Sequence, residues 1–272
     1  MATSYTNDAL NNIRKLPKDI IQSLPGIIVN RQGSCKESYM VTEDFIGYAE
    51  HKKAYQLTFD GLNLINDGRQ SLPLPEPTIP PHTVLKGQWI ARIDFMTEDV
   101  GANILGGNGR YTLANEDDDV LEIKIADCTE SNLAWYGCSF LKELDLLYFD
   151  TTGNLPISIV SIGQEYVNGY LLDPHKGGGE YLEVHDRPHF YMPLNEHAGG
   201  YLIIGKYTRD KQRVISAFKI PYGYAVNVAP WCIHADSHLI GRYMVIYSMT
   251  ESYSTVIVRK STGEIAPIQL IE

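Results

Sequence analysis

Short apolar segments recur about every ten residues from position 201 to position 259, and this rhythm constrains the fold more than any other feature of the sequence. Each segment is rich in β-branched and aromatic residues, and turn-forming residues separate it from the next. The segments are Tyr201–Tyr207, Val214–Ile220, Tyr224–Val228, Tyr243–Ser248 and Ser254–Arg259. Such spacing predicts a mainly β protein built as an antiparallel sandwich or barrel.

Upstream segments extend the β pattern. They are Trp89–Phe95, Arg110–Leu113, Leu121–Ile125 and Pro156–Ile162. The acidic run Glu116–Asp119 lies between two of them and lacks the spaced ligands of a calcium loop, so we predict an exposed hairpin tip there. Residues Ser131–Leu147 fit either a helix or further strands, and the spacing of their apolar residues favours the helix.

The first 80 residues have a different character. An apolar stripe at spacings of three and four, interrupted at Pro17, predicts two short helices between Asn7 and Leu24. The segment Ser71–His82 contains five prolines and predicts an extended connector, with a ligand for a proline-binding module as the alternative. We therefore divide the chain into an N-terminal helical arm with its connector, residues 1–80, and a β-rich domain, residues 81–272, whose core lies at about 180–260.

Charge and cysteine content restrict the partners. The net charge of -10 argues against nucleic acid, whose binders usually carry a basic patch. Cys35, Cys128, Cys138 and Cys232 form no Cys-x-x-Cys pair, which predicts reduced, buried thiols. No secretory signal and no membrane-spanning apolar run is evident, so we expect a soluble, cytoplasmic protein with no membrane partner.

The segment Glu183–Tyr191 carries an unusual set of side chains. If it is extended, one face holds Glu183, His185, Arg187, His189 and Tyr191, because alternate residues of a strand point the same way. A carboxylate, two imidazoles, a guanidinium and a phenol on one face predict binding or catalysis. A hydrated surface strand with incidental histidines is the alternative.

A second segment, Tyr224–Asp236, supplies another histidine. Pro230 and Trp231 predict a turn that delivers His234 to the mouth of a barrel, whereas the alternative is a hydrogen-bonded histidine at the start of a strand. Cys232 lies close to His234 in sequence, but neighbours across a turn need not face each other, so we do not predict a thiol nucleophile.

Known nucleotide and hydrolase motifs are missing from the sequence. Gly106–Gly109 is predicted to be a turn rather than a phosphate loop, and no Gly-x-Ser-x-Gly motif occurs. The partner that we expect is a small-molecule substrate.

Several stretches around these histidines resemble the core of the bacterial ureidoglycolate lyases and, more broadly, the cupins, which are double-stranded β-helix jelly rolls. The stretches are His189–Leu194, Gly200–Ile204, Ala217–Gly223, Val226–Asn227 and Trp231 with His234. They cover roughly a third of the chain. The resemblance implies a cupin-like jelly roll preceded by the N-terminal helical arm.

The resemblance also implies a metal site. Cupins commonly hold a divalent ion with two histidines and a glutamate from a first motif and a histidine from a second. By this resemblance the ligands are His185 or His189, Glu183 or Glu196, and His234, and the ion is Zn, Ni, Mn or Fe.

Strand geometry limits how both histidines of the first segment can be used. In a fully extended strand the two are about 13 Å apart, at roughly 3.3 Å per residue, so both can ligate one ion only if Pro188 bends the chain. We therefore expect one to be a ligand and the other a base or a substrate contact. The assigned metal ligands are His185, His234 and Glu196; the catalytic residues are His189, Glu183 and Tyr191; the substrate-binding residues are Arg187, Lys206 and Tyr224.

The expected activity is a metal-assisted lyase or hydrolase acting on a small polar carboxylate, as the ureidoglycolate lyase resemblance implies. An ion bound by nitrogen and oxygen ligands with open positions can polarise a carbonyl. Two alternatives remain: a sugar isomerase or epimerase on the same barrel, and a non-catalytic jelly roll that binds a carbohydrate or another small ligand. Jelly rolls often pair through sheet edges, so a homodimer is also expected.

Overall fold

The computed structural model describes residues 31–32, 36–58, 61–65, 73–90, 109–149, 153–166, 180–247 and 253–272. Within these ranges the chain is mainly β, with twenty-one strands and one helix. The helices expected between Asn7 and Leu24 lie outside the described residues, as do residues 91–95 of the strand predicted to begin at Trp89. The described residues contain no helix with the length and the apolar character that crossing a membrane requires.

The first large sheet is antiparallel and has eight strands. They are β1 (Arg31–Gln32), β2 (Tyr39–Ala49), β9 (Ser139–Lys142), β11 (Leu155–Ile162), β13 (His189–Pro193), β14 (Gly199–Gly200), β17 (Tyr224–Val228) and β19 (Leu239–Ile246). Their order is β1-β2-β11-β19-β13-β17-β9, and β14 also pairs with β19.

The second large sheet has ten strands. They are β5 (Thr83–Leu85), β6 (Gln88–Ile90), β7 (Gly109–Thr112), β8 (Leu121–Ala126), β12 (Tyr181–His185), β15 (Leu202–Tyr207), β16 (Arg213–Phe218), β18 (Ile233–Ala235), β20 (Tyr253–Arg259) and β21 (Ile268–Ile271). Their order is β21-β8-β16-β15-β18-β12-β20-β7-β6, and β5 also pairs with β16. The pairs β8–β16, β7–β20 and β8–β21 are parallel.

A small sheet lies outside the first large sheet. It consists of β3 (Lys53–Thr58), β4 (Gly61–Ile65) and β10 (Leu146–Phe149), in the order β10-β3-β4. Buried apolar residues join it to the first sheet, among them Tyr55 and Phe149 on the small sheet and Phe190 and Met192 on β13. The first sheet is therefore covered on this face.

The chain passes back and forth between the two large sheets from residue 155 to residue 259. Strands β11, β13, β17 and β19 belong to the first sheet, and β12, β15, β16, β18 and β20 belong to the second. The main hydrophobic core contains buried residues of both sheets, such as Tyr191 and Val245 from the first and Ile204 and Ile233 from the second. Side chains that point inward from these strands consequently meet those of the other sheet.

The only helix in the described ranges is α1, Glu130–Tyr136. The Thr129 hydroxyl accepts a hydrogen bond from the Asn132 amide at 3.3 Å, which caps its beginning. Gly137, with φ of 81°, ends it in a left-handed conformation that a residue without a Cβ adopts readily. The helix predicted to continue to Leu147 is therefore wrong beyond residue 136, where β9 and β10 follow.

The acidic run Glu116–Asp119 is largely exposed between β7 and β8. It is not a hairpin tip, because β7 pairs with β6 and β20, whereas β8 pairs with β16 and β21. The expected hairpin is wrong because tertiary pairing sends the two strands to different neighbours. One of its carboxylates, Asp119, accepts a hydrogen bond from Lys260 at 2.6 Å.

The proline-rich connector has no regular secondary structure over residues 73–80. The Thr78 amide donates to the Ser131 carbonyl at 3.0 Å, and the Ser216 hydroxyl donates to the Pro81 carbonyl at 2.5 Å. The connector thus lies along α1 and the second sheet.

Candidate metal centre

Four buried side chains form a cluster between the two large sheets. Glu183 and His185 come from β12, His189 from β13 and His234 from β18. Each offers one ligand atom, and these atoms all lie within 4.8 Å of one another. Three imidazoles and a carboxylate form a set that divalent transition metals accept, so this cluster could hold a metal ion.

Strand pairing explains how two of these residues meet. Glu183 of β12 lies directly opposite His234 of β18 in the second sheet. Directly opposed residues of an antiparallel pair project to the same side with their Cβ atoms about 4.5–5.5 Å apart. The resulting distance between Glu183 Oε1 and His234 Nε2 is 3.1 Å.

A bend in the chain brings the other two histidines together. Strand β12 ends at His185 and β13 begins at His189, so residues 186–188 cross from the second sheet to the first. The ring centroids of His185 and His189 are consequently 4.3 Å apart. Pro188 lies in this crossing, which meets the condition under which both histidines can ligate one ion. The single extended strand predicted over 183–191 is wrong for this reason.

The cluster is buried. The exposed fractions of His185, His189 and His234 are 1%, 3% and 1%, and that of Glu183 is 6%. A surface strand with incidental histidines is thereby excluded. Buried polar groups need partners, so each nitrogen of these rings requires an explanation.

The hydrogen bonds of His234 place a proton on Nδ1 and leave two states for Nε2. Its Nδ1 donates to the Cys232 carbonyl at 3.0 Å, because a carbonyl oxygen can only accept. Its Nε2 lies 3.1 Å from Glu183 Oε1 and 3.1 Å from His189 Nδ1. In one state Nε2 is protonated as well, and it donates this proton to Glu183. In the other state the lone pair of Nε2 points at a cation that Glu183 and His189 also bind.

The same surroundings shift the pKa values of the three histidines in different directions. Burial, and then the charge of the neighbouring histidines, holds the pKa of His185 and that of His189 well below the usual range. Burial by itself lowers the pKa of His234, but the hydrogen bond and the charge of Glu183 outweigh it and raise that pKa. The two neutral imidazoles of His185 and His189 suit metal ligation, which requires deprotonated ligands, whereas His234 must release the proton that Glu183 favours before it can bind a metal.

One nitrogen of the cluster has no partner among the described residues. His185 Nδ1 accepts a hydrogen bond from the Arg187 amide at 3.3 Å, whereas His185 Nε2 is buried and unbonded. An unsatisfied buried polar atom costs about 1–3 kcal/mol. A cation coordinated at Nε2 removes this penalty once the ring proton lies on Nδ1, and only the long contact with the Arg187 amide is then given up. The cluster therefore fits a metal ion.

Hydroxyl groups surround the cluster on the side of β13 and β19. The Tyr191 hydroxyl lies 3.1 Å from His189 Nδ1, and the Tyr247 ring lies 5.3 Å from the His189 ring. Tyr247 donates to Asp236 Oδ2 at 2.5 Å, and Tyr181 donates to Asp236 Oδ1. Burial raises the pKa of all three tyrosines well above the usual value, so their hydroxyls remain donors.

Sequence reasoning did not assign Tyr181, Tyr247 or Asp236 to the site. Two of them follow from strand periodicity, since Tyr181 precedes Glu183 by two positions and Asp236 follows His234 by two. Only the fold brings Tyr247 to the same place, because β19 pairs with β13.

Arg187 and Lys206, both predicted to bind substrate, lie in different surroundings. Arg187 is buried in the crossing beside His185, with its Nε 3.7 Å from Asp186 Oδ1. Lys206 lies 3.7 Å above the Trp135 ring and donates to the Trp135 carbonyl. Its ammonium is thus engaged with α1.

Tyr224, predicted to bind substrate, and Glu196, predicted to bind the metal, are not part of the buried cluster. Tyr224 is exposed and stacks on Phe140, with ring centroids 4.8 Å apart. Glu196 is exposed in the turn between β13 and β14. The carboxylate of the cluster is Glu183.

Comparison of the chain with protein-family models, with curated proteins and with solved structures returned no match.

Proposed function

We propose that the protein is a metal-dependent lyase or hydrolase acting on a small polar carboxylate, built on a cupin-like jelly roll. The observation that carries the proposal is the buried cluster of Glu183, His185, His189 and His234, whose ligand atoms lie within 4.8 Å of one another. Burying three imidazoles and a carboxylate side by side lowers the stability of the folded protein unless protons or a cation bind to them.

The order of the strands supports the jelly roll. In the first sheet β11-β19-β13-β17 are adjacent, and in the second β12-β18-β15-β16 are adjacent. A double-stranded β-helix has this pattern: its eight strands divide between two four-stranded sheets, and strands from the start and the end of the sequence alternate across each sheet. Cofactor and ligand sites in barrels of this kind lie between the sheets, where the cluster is found.

The ligand set fits Zn, Ni, Mn or Fe. Imidazole ligands suit Zn, Ni and Fe, and a carboxylate ligand suits Mn. When bound, such an ion acts as a Lewis acid that polarises a carbonyl or a hydroxyl of the substrate.

The chain itself supplies positioning and proton transfer. Arg187 lies beside His185 in the crossing, and its planar guanidinium suits bidentate binding of a carboxylate. The Tyr191 hydroxyl, 3.1 Å from His189 Nδ1, stays protonated and is placed to donate its proton to the substrate next to the cluster. In this arrangement Glu183 and His189, which the sequence assigned to catalysis, serve mainly as ligands.

Turnover of a panel of hydroxy acids and ureido acids tests the proposal. We expect activity with at least one of them in protein loaded with a divalent metal, its loss after chelation, and its recovery when the metal returns. His234→Ala should remove the activity. The matched control is His197→Ala, because His197 is exposed in the turn after β13.

Three outcomes contradict the proposal. Activity that survives chelation indicates the isomerase or epimerase alternative, in which side chains alone transfer protons. Ligand binding without turnover indicates a binding module. Equal activity of the two histidine variants removes His234 from the site.

A further inference from the structure

Two buried thiols lie beside the candidate metal centre. Cys138 Sγ is 3.8 Å from Cys232 Sγ, and the exposed fractions of the two residues are 0% and 5%. They are 94 positions apart in the sequence, so only the fold makes them neighbours.

Hydrogen bonds of the backbone hold both cysteines in place. The Cys138 amide donates to the Leu133 carbonyl at 3.0 Å, in the turn that ends α1. The Cys232 amide donates to the Ala229 carbonyl at 3.2 Å, in the turn that leads into β18. These hydrogen bonds keep the two cysteine residues next to each other.

Cys232 also orients a member of the cluster. Its carbonyl accepts the hydrogen bond from His234 Nδ1 at 3.0 Å. Partners of this kind set the tautomer and the direction of a ligating histidine, and their loss lowers metal affinity about ten- to a hundredfold. A chemical change at Cys232 therefore reaches the candidate metal centre through one hydrogen bond.

We propose that Cys138 and Cys232 are a redox modification site, in which a peroxide joins them in a reversible disulfide that weakens the candidate metal centre. The two thiols lose two protons and two electrons, an S–S bond forms, and hydrogen peroxide is reduced to two molecules of water. A dithiol reductant reverses the reaction by thiol–disulfide exchange. The effect on the metal rests on the proposed function, whereas formation of the disulfide does not.

The bond requires movement on the Cys232 side. The sulfur atoms must approach from 3.8 Å to a bond length of about 2.05 Å. The contact of 3.2 Å that the Cys232 thiol makes with the Tyr136 carbonyl is then lost. The turn before Cys232 contains Trp231, an exposed residue with φ of 67°, a strained conformation that can relax when the turn shifts.

Peptide mapping without reductant tests the modification. Reduced protein is treated with hydrogen peroxide, and its thiols are counted before and after. We expect one cross-link between the peptides of Cys138 and Cys232, a loss of two thiols, and their return with dithiothreitol. Cys128→Ser should form the same cross-link, whereas Cys138→Ala should not form it.

Mapping on the wild-type protein decides this part without any variant. A cross-link through Cys35 or Cys128, oxidation of single cysteines to sulfinic or sulfonic acid, or thiols that remain unchanged would each overturn the proposal.

Binding of Co²⁺ tests the coupling to the cluster. We expect the oxidised protein to bind Co²⁺ about ten- to a hundredfold more weakly than the reduced protein, and Cys138→Ala to bind equally before and after peroxide. Equal affinity of the oxidised and reduced wild type would overturn the coupling. Failure of the reduced protein to bind Co²⁺ would overturn both the coupling and the metal centre, whereas the mapping result would still decide the disulfide.

Discussion

Strand β13 has two buried faces that differ in what they require. On one face Phe190 and Met192 pack against the small sheet, where close contact is the whole requirement. On the other, His189 and Tyr191 face the second sheet, where every nitrogen and hydroxyl also needs a partner. Burial is the same on the two faces, so they differ in that the polar face needs hydrogen-bond or ligand partners in addition to close packing.

The largest effect on stability should come from the apolar face. Phe190→Ala should lower the free energy of unfolding by about 3–5 kcal/mol, because it leaves a cavity between β13 and the small sheet. Denaturant unfolding measures the change. As a control, Ile46→Ala alters a side chain that is 46% exposed and should shift stability by about 0.5 kcal/mol or less. A similar loss in both variants would contradict the packing described for β13.

A smaller loss of stability is expected behind the polar face, where Asp236 accepts hydrogen bonds from the hydroxyls of Tyr181 and Tyr247. Asp236→Asn should cost about 1.5–3 kcal/mol, because the amide nitrogen is a donor that faces a donor and the charge is lost. The exposed Asp117→Asn serves as the control in the same unfolding experiment. A neutral result for Asp236→Asn would mean that the tyrosine hydroxyls have other partners.

The buried carboxyl of Glu180 allows a test through the pH dependence of stability. Burial raises the pKa of Glu180, at the start of β12, to about 7, although its carboxylate accepts from the Ile268 amide at 2.9 Å. The folded protein then holds this proton more tightly than the unfolded chain, so stability falls as pH rises from about 4.5 to about 7. Glu180→Gln should remove this decline and stabilise the protein at pH 8 by about 1–2 kcal/mol, given its partial contact with water. Parallel pH curves for the two proteins would contradict the burial of a charged Glu180.

The smallest effect on stability is expected within the cluster. His185→Leu replaces a ring whose Nε2 has no partner among the described residues by an apolar group of similar size. Loss of the unsatisfied nitrogen offsets loss of the weak contact to Arg187, so the metal-free protein should change by about 1 kcal/mol or less. Calorimetry after chelation measures this. A large destabilisation of the metal-free protein would show that His185 is a structural residue.

Much of the β pattern could be predicted from the sequence. The structure confirms a strand at 224–228, and the strands predicted at 201–207 and 254–259 differ from β15 and β20 by one residue each. Local alternation and turn residues carry this information. The expected helix beyond residue 136 fails because Gly137 ends it, a local signal that the apolar spacing of Ser131–Leu147 obscured.

The site was predictable only in part. Glu183, His185, His189 and His234 share two short segments, so the sequence places them near the site, but a strand model separates the two histidines of the first segment by about 13 Å. His185 and His189 come close because the chain crosses between the sheets at residues 186–188. Glu183 and His234 come close because β12 pairs with β18. The engagement of Lys206 with Trp135 likewise follows from tertiary packing.

The central claim is that the four buried residues hold one metal ion, and metal content tests it most directly. Protein purified without a histidine tag is analysed by inductively coupled plasma mass spectrometry, together with His234→Ala and the exposed control His197→Ala. The account predicts about one equivalent of a transition metal in the wild type and in His197→Ala, and none in folded His234→Ala. Metal-free wild type that takes up no Zn, Ni, Mn or Fe on addition, or equal metal in both variants, would contradict it.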